Sequence, residues 1–413
     1  MCVKALQLCN LAIHNFMPPT LALLVETDAS MNSLGPTLYK RLHDQNWEVR
    51  DSVLEVLITI ATISEDKYPA FQDFLLANNF LPFIIEISTT DDESYVRASA
   101  VKFIASTVRI NQLWDRCLAN ANLPDKFIKL LKEESEAIVR REAADLINEL
   151  YVYRKWPKAT IECMSSAMAE AAVLDLHWEV KINALNFWKH FIKSHFTDQG
   201  MLDGSFPHVT FSKEHRKIVT LDETEIRNRL NKALDEVAKH RCLGVLLATL
   251  ENDSDLEVSR TAANIIKKLK TFIVKYKLDE SPPRVHKLPK DYPTIDSCYK
   301  RPPPVNTSPE ATDKSSGVID QIIDENDANL LASIYENSLK MDSDSATTKH
   351  ITIEKLSQVT RRQFLTTISN LDVDAYIEER SRWLKDYTVC FDSVLEDILT
   401  VYEQKDANTM DCY

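Results

Sequence analysis

The 413-residue chain predicts an all-α helical-repeat solenoid with an acidic, partly disordered C-terminal extension. Three observations carry that prediction. An acidic residue with valine five positions later recurs at Asp44/Val49, Asp91/Val96, Glu134/Val139, Asp175/Val180 and Asp253/Val258. Each valine is followed by apolar residues at +4, +5, +7 and +8, as in Ala143, Ala144, Leu146 and Ile147 after Val139, which together form one stripe on a helix. Finally, only five glycines occur (Gly35, Gly200, Gly204, Gly244 and Gly317), and they are scattered. Phosphate-cradling loops need clustered glycines, and all-β folds need many tight turns, so both are excluded.

The valines lie 47, 43, 41 and 78 residues apart, the last gap being nearly two periods. Small residues at +4 (Ala100, Ala143, Ala184, Ala262) let a second helix approach closely. The apolar segments Tyr68 to Ile87 and Leu113 to Leu131 supply such antiparallel partner helices. A helical hairpin repeating every 40 to 47 residues is the period of HEAT and armadillo arrays. The acidic residue ahead of each stripe is placed to cap the helix or favour its positive end. Arg50, Arg97, Arg140 and Lys181 directly follow the valine, as in HEAT repeats, where this base and the acid form an inter-repeat ladder. The fifth unit has Ser259 there, with Arg260 one place late, which weakens that rung. Trp47-Glu48-Val49-Arg50 and Trp178-Glu179-Val180-Lys181 read as inter-repeat packing rather than binding motifs.

The chain divides into four regions. The array spans 1–277, interrupted at about 196–221, where Gly200, Gly204 and Pro207 break the periodicity. That segment is a loop inserted before the final repeat, either to bind a partner or as a tolerated surface insertion. Residues 278–316, with Ser281-Pro282-Pro283 and Arg301-Pro302-Pro303-Pro304, form an extended Pro-rich linker. Residues 317–405 are an acidic tail with amphipathic segments at Val318 to Leu339, Ile353 to Ser369 and Asp374 to Glu403, and 406–413 form the tip. Of the net charge of −13, Gly317 to Tyr413 holds −10, with 19 acidic and 9 basic side chains, so the array itself is near neutral.

That balance, from 62 acidic and 49 basic residues, argues against direct nucleic-acid binding. The longest apolar runs, such as Leu21 to Val25, are far short of the ~20 residues that span a bilayer, and the start lacks a secretory pattern. Eight cysteines without C-x-x-C suit reduced thiols, hence the cytoplasm or nucleus and no membrane. His190, His195, His208, His215 and His240 crowd one region without a metal-ligand spacing and read as scatter, so no cofactor of its own is expected. No G-x-S-x-G elbow occurs, and the carboxylates read as solvated faces, so the chain is not expected to be an enzyme. The chain ends in Met410-Asp411-Cys412-Tyr413. A thiolate binds zinc at about 2.3 Å and a carboxylate is a hard ligand, so these residues are either a frayed terminus or a tip that binds another protein's metal.

The HEAT units carrying Leu42 to Ser52 and Glu93 to Val101, the acidic tail and the final Asp411-Cys412-Tyr413 together resemble the BRCA-associated ATM-activator family. The resemblance covers the array and the extreme C-terminus. It implies a partner, the zinc-dependent metallo-β-lactamase-type Integrator endonuclease with its inactive paralogue, whose active site the C-terminal Cys-Tyr enters and silences during cytoplasmic assembly. Carried over, Asp411, Cys412 and Tyr413 contact the partner. Cys412 becomes a ligand, through its thiolate, to zinc supplied by that partner, and Tyr413 anchors the tip through its ring or its terminal carboxylate, the latter as a second zinc ligand. The family is also linked to the DNA-damage kinase ATM, for which the sequence holds no separate motif. Family members are longer at the N-terminus. Cys2 to Phe16 reads as a helix of an array already running, as expected of a shortened form or a remote relative.

Overall fold

The computed structural model describes residues 2–16, 29–66, 68–207, 209–212, 217–251, 255–278 and 353–382. Each stripe forms a helix: Trp47–Asp66, Ser94–Val108, Ala137–Tyr153, Trp178–Asp198 and Leu256–Lys275. All five valines and every residue at +4, +5, +7 and +8 after them are buried, so the register read from the sequence is the register of the core. These stripe helices stack in chain order, with Cys2–Phe16 packed ahead of the first. Partner helices, among them Phe80–Thr90, Leu123–Glu133, Lys158–Leu174 and Cys242–Glu251, form a second layer against them. The core lies between the two layers and runs continuously from Ile13 to Leu278.

The partner segments are less regular than expected. Tyr68 to Ile87 is two helices, Ala70–Ala77 and Phe80–Thr90, separated by Asn79 at φ 52°. Leu113 to Leu131 divides likewise, a short helix ending in a π-helical turn at Trp114–Leu118 and then Leu123–Glu133, with Asn122 at φ 49° between them. Asparagine enters the left-handed region more readily than most residues, because its short polar side chain bonds locally. Arg241, at φ 71°, makes the same break between Glu223–Lys239 and Cys242–Glu251.

The recurring acid does not cap its stripe helix. Asp91 Oδ1 accepts from the Glu93 N–H (3.0 Å), Glu134 Oε1 from the Glu136 N–H (3.1 Å) and Asp175 Oδ1 from the His177 N–H (2.8 Å). It thus fixes the turn, and the helix begins one residue later without a side-chain cap. The outer carboxylate edge is then free to receive a fork from the preceding repeat. Arg50 grips Asp91 at 2.9 and 2.7 Å, Arg97 grips Glu134 at 3.0 and 2.8 Å, and Arg140 grips Asp175 at 2.8 and 3.0 Å. The remaining guanidinium nitrogen of each donates to the backbone carbonyl of its own turn's acid: Asp44, Asp91 and Glu134. Lys181 is buried at the next position, and its sequence counterpart Asp253 lies outside the described residues. Ser259 is buried and donates instead to Thr249 O (3.4 Å), tying together its own hairpin.

The segment expected as a loop from Phe196 differs as well. The helix continues to Asp198, because Phe196 is buried and packs edge-on against Phe272 at 5.9 Å. Gly200, Asp203 and Gly204, all at positive φ, then turn the chain through a small bridge between Leu202 and Ser205. Beyond it lies an antiparallel hairpin, β1 (Val209–Ser212) on β2 (Lys217–Thr220), with Val209 opposite Thr220.

Residues 353–382, which the sequence places in the acidic extension, form helices at 353–358, Arg361–Asn370 and 373–382. They pack on the end of the array through Leu356, Val359, Phe364, Leu365, Ile368 and Val373, all buried. The expected single segment Ile353 to Ser369 is broken at Thr360, whose capping box with Gln363 starts a new helix. The segment Val318 to Leu339 and most of the linker lie outside the described residues. Among the described residues no helix is long and apolar enough to cross a membrane.

Ala143 sits fully buried at the +4 position of the third stripe. Replacing Ala143 by Trp overpacks a close contact and is expected to cost about 1 to 3 kcal/mol, read as a lowered urea midpoint. An unchanged midpoint would place the residue on a different face.

Candidate functional site

Asp411, Cys412 and Tyr413 lie outside the described residues. What the structure defines is the surface of the array and the segment 353–382 packed on its end. The stripe consumes positions 0, 4, 5, 7 and 8 of each helix, so positions +2, +6 and +10 point the opposite way. There the side chains are largely polar or charged, and with their neighbours they connect successive repeats. Ser99 Oγ donates to Asp51 Oδ1 (2.6 Å), and Arg109 bridges Glu149 (3.0 Å) and Glu65 (3.5 Å) while lying 5.0 Å over the Tyr153 ring. Arg141 reaches Glu142 (2.8 Å) and Glu179 (2.9 Å), and Asn183 donates to Arg141 O (3.0 Å). His190 bonds Asn148 at 2.9 Å.

Carboxylates and cations are interspersed along this face, and partial burial acts on the carboxylates. Burial pushes the carboxyls of Asp51 and Glu55 upward, and Asp51 raises Glu55 further by its charge. Asp145 is pushed up to about 6, first by burial and then by Glu149 and Glu142, with Arg109 and Lys102 opposing. Asp145 can therefore hold a proton closer to neutrality than an ordinary aspartate. The Trp47 and Tyr95 rings stack at 5.6 Å across the first two repeats, as the packing reading requires. Trp178 and Leu176 are exposed at 40% and 95%, so the second tryptophan motif presents an apolar edge rather than a packed one.

Of the five crowded histidines, His195 and His240 come together, with ring centroids 6.3 Å apart and both rings against Phe191. Burial, and then His195, lowers the His240 pKa. His190 is engaged with Asn148, and His208 and His215 have no described side chains. No group of three or more side chains able to hold a metal occurs among the described residues.

The anchoring of 353–382 was the feature least visible in the sequence. Arg361 pairs with Asp235 (2.8 Å), Lys270 Nζ donates to Leu371 O (2.8 Å), and Arg380 donates to Leu250 O (3.1 Å). Lys267 pairs with Asp374, and Arg260, the displaced rung residue, donates to Ser381 Oγ (2.9 Å). The last repeat's cations thus serve the C-terminal helices in place of a following repeat. The apolar stripe of Phe364, Leu365 and Ile368, spaced i, i+1 and i+4 on one helix, was the available signal.

A two-layer array with an inter-repeat ladder, a charged outer row and a docked C-terminal segment defines a helical-repeat protein. A family model described as Integrator complex assembly factor BRAT1 matches residues 7–309, and the chain belongs to that family. Curated relatives described as Integrator complex assembly factor BRAT1 include one from Danio rerio, 29% identical over 163 residues, 37% of this chain and 19% of the relative. Another, from Ailuropoda melanoleuca, is 31% identical over 173 residues, 38% of this chain and 19% of the relative. The matched region spans about a fifth of the length of these relatives. Similar solved structures include a designed armadillo repeat protein in complex with the peptide (KR)4, at 17% identity and TM-score 0.40, covering 64% of this chain and 91% of that one. An engineered protein at 15% identity has a TM-score of 0.42, covering 65% and 92%.

Asp145 makes stability depend on pH. Its folded pKa lies above the unfolded value, so the native state binds its proton more tightly and loses that advantage as pH rises from about 4 through about 6. Asp145→Asn is therefore expected to raise stability at pH 7.5 by about 1 to 3 kcal/mol and to leave it unchanged near pH 4. Urea midpoints at the two pH values check this; equal effects at both would show that the carboxyl is solvated.

Proposed function

We propose that this protein is a non-catalytic assembly factor for the Integrator complex, acting in cytoplasm and nucleus. In this reading it escorts the Integrator endonuclease and the nuclease's inactive paralogue and keeps the nuclease silent with its C-terminal tip. The observation that carries the assembly role is the family match over 7–309, which takes in nearly all of the array and most of the Pro-rich linker. The array supplies contact area, and the tip supplies the block. Cys412 offers a thiolate to zinc held by the nuclease, the terminal carboxylate of Tyr413 adds an oxygen donor, and Asp411 contacts the nuclease beside them. A zinc hydrolase needs a metal-bound water, and a sulfur ligand in that position leaves no place for one. The acidic approach of 317–405 suits a cleft that takes RNA phosphates. A link to the kinase ATM and to the DNA-damage response belongs to the same reading through the family resemblance.

The alternative, a general scaffold or transport adaptor, is favoured by the charged row on the stripe helices, which could bind a partner without any tip. The two readings separate at Cys412. Serine keeps the shape, but its hydroxyl is hardly ionised and is a poor zinc ligand. Cys412→Ser is expected to restore most RNA cleavage by the nuclease while co-purification of the two proteins is retained. Cleavage that stays blocked to the same degree would exclude the metal-ligand role and leave the scaffold reading.

A further inference from the structure

The C-terminal helices approach the array more closely than side-chain packing alone allows. Gly244, in the partner helix Cys242–Glu251, has no Cβ, and one placed there would sit 2.7 Å from Leu356 Cα, with the Leu356 carbonyl group nearer or at a similar distance. The 353–358 backbone therefore lies directly on the helix. Glycine inside a helix is otherwise unfavourable, by about 1 kcal/mol relative to alanine, so its use at this position marks the contact as one the fold was built around. Around it, Phe364 and Ile368 are fully buried, and five polar contacts join 353–382 to three different elements of the last repeat.

This contact changes the reach of the tip. From Leu278, the end of the array, 135 residues lead to Tyr413, whereas only 31 lead there from residue 382. Fully extended, those lengths bound the tip's range at roughly 450 to 490 Å and roughly 100 to 110 Å. We propose that residues 353–382 are an anchor that bypasses most of the C-terminal chain, pinning the tip's approach to the last repeat and raising its effective concentration at a partner held by the array. The proposal rests on the tip reading given above. Effective concentration falls as about the −3/2 power of spacer length, so releasing the anchor lowers it about ninefold.

Gly244→Ala tests this in the full-length protein, because alanine favours the helix it joins while displacing the backbone of Leu356. A second variant, Phe364→Asp, removes the anchor from its other side without touching the array's own residues. Amide exchange is expected to quicken across 353–382 in both, with protection of 242–275 retained. Energy transfer between fluorophores at Asn264 and Lys405 is expected to fall, and the concentration giving half-inhibition of the nuclease to rise about ninefold. Unchanged exchange at 353–382 in both variants, or unchanged energy transfer once that segment has loosened, overturns the anchor. If the unmodified protein does not inhibit the nuclease, the tip reading fails, and the energy-transfer arm alone decides whether 353–382 positions the C-terminal chain.

Discussion

The arginine fork between repeats is the interaction on which the rest of the array depends. Arg50, Arg97 and Arg140 each hold two backbone carbonyls of one turn and one carboxylate at once, joining a repeat's own turn to the next repeat's acid. The carboxylate in turn holds the N–H that starts its stripe helix. One side chain therefore sets both where a helix begins and how far it lies from its neighbour. In a chain of repeats that contact only their neighbours, such a nearest-neighbour term is added at each of the three steps that carry the arginine. Lys181 stands at the fourth such position, and because a single ammonium cannot present parallel donors to a carboxylate while also reaching backbone carbonyls, the fork belongs to Arg50, Arg97 and Arg140 among the described residues.

Much of this was legible in the sequence because repetition averages out local noise. Five stripes in one register left no freedom in the core, and the base directly after valine named the ladder. What was not legible depended on single residues. Asn79, Asn122 and Arg241 break the partner helices by adopting φ values that composition does not announce. The β1–β2 hairpin hid inside a segment whose glycines suggested a loop, although Val209-Thr210-Phe211-Ser212 has the β-branched and aromatic content of a strand. The charged row of Asp51, Arg109, Arg141 and Asp145 was missed because its members differ in type from repeat to repeat, so position alone unites them. The role given to the terminal tripeptide rests on resemblance, because the residues themselves read first as a frayed end, and they lie outside the described residues.

The end of the array shows how the same rule works when the repeats stop. Ser259 replaces the basic residue, and Arg260, one turn position away, points to Ser381. Lys267 and Lys270 likewise serve Asp374 and Leu371. A solenoid needs a cap that buries its last apolar face, and here a later part of the same chain provides it. The cap's contacts are a mixture of buried apolar side chains and exposed ion pairs. The former supply most of the stabilisation, and the latter fix orientation.

A double-mutant cycle on Arg97 and Glu134 tests the ladder most directly. Both side chains are largely buried, and they meet through two bonds of 3.0 and 2.8 Å. With Arg97→Met, Glu134→Gln and the double variant compared by urea unfolding, a coupling free energy of about 1 to 3 kcal/mol is expected. Additive effects, with no coupling beyond about 0.3 kcal/mol, would mean that the apolar stripes alone hold the repeats in register and that the fork is incidental.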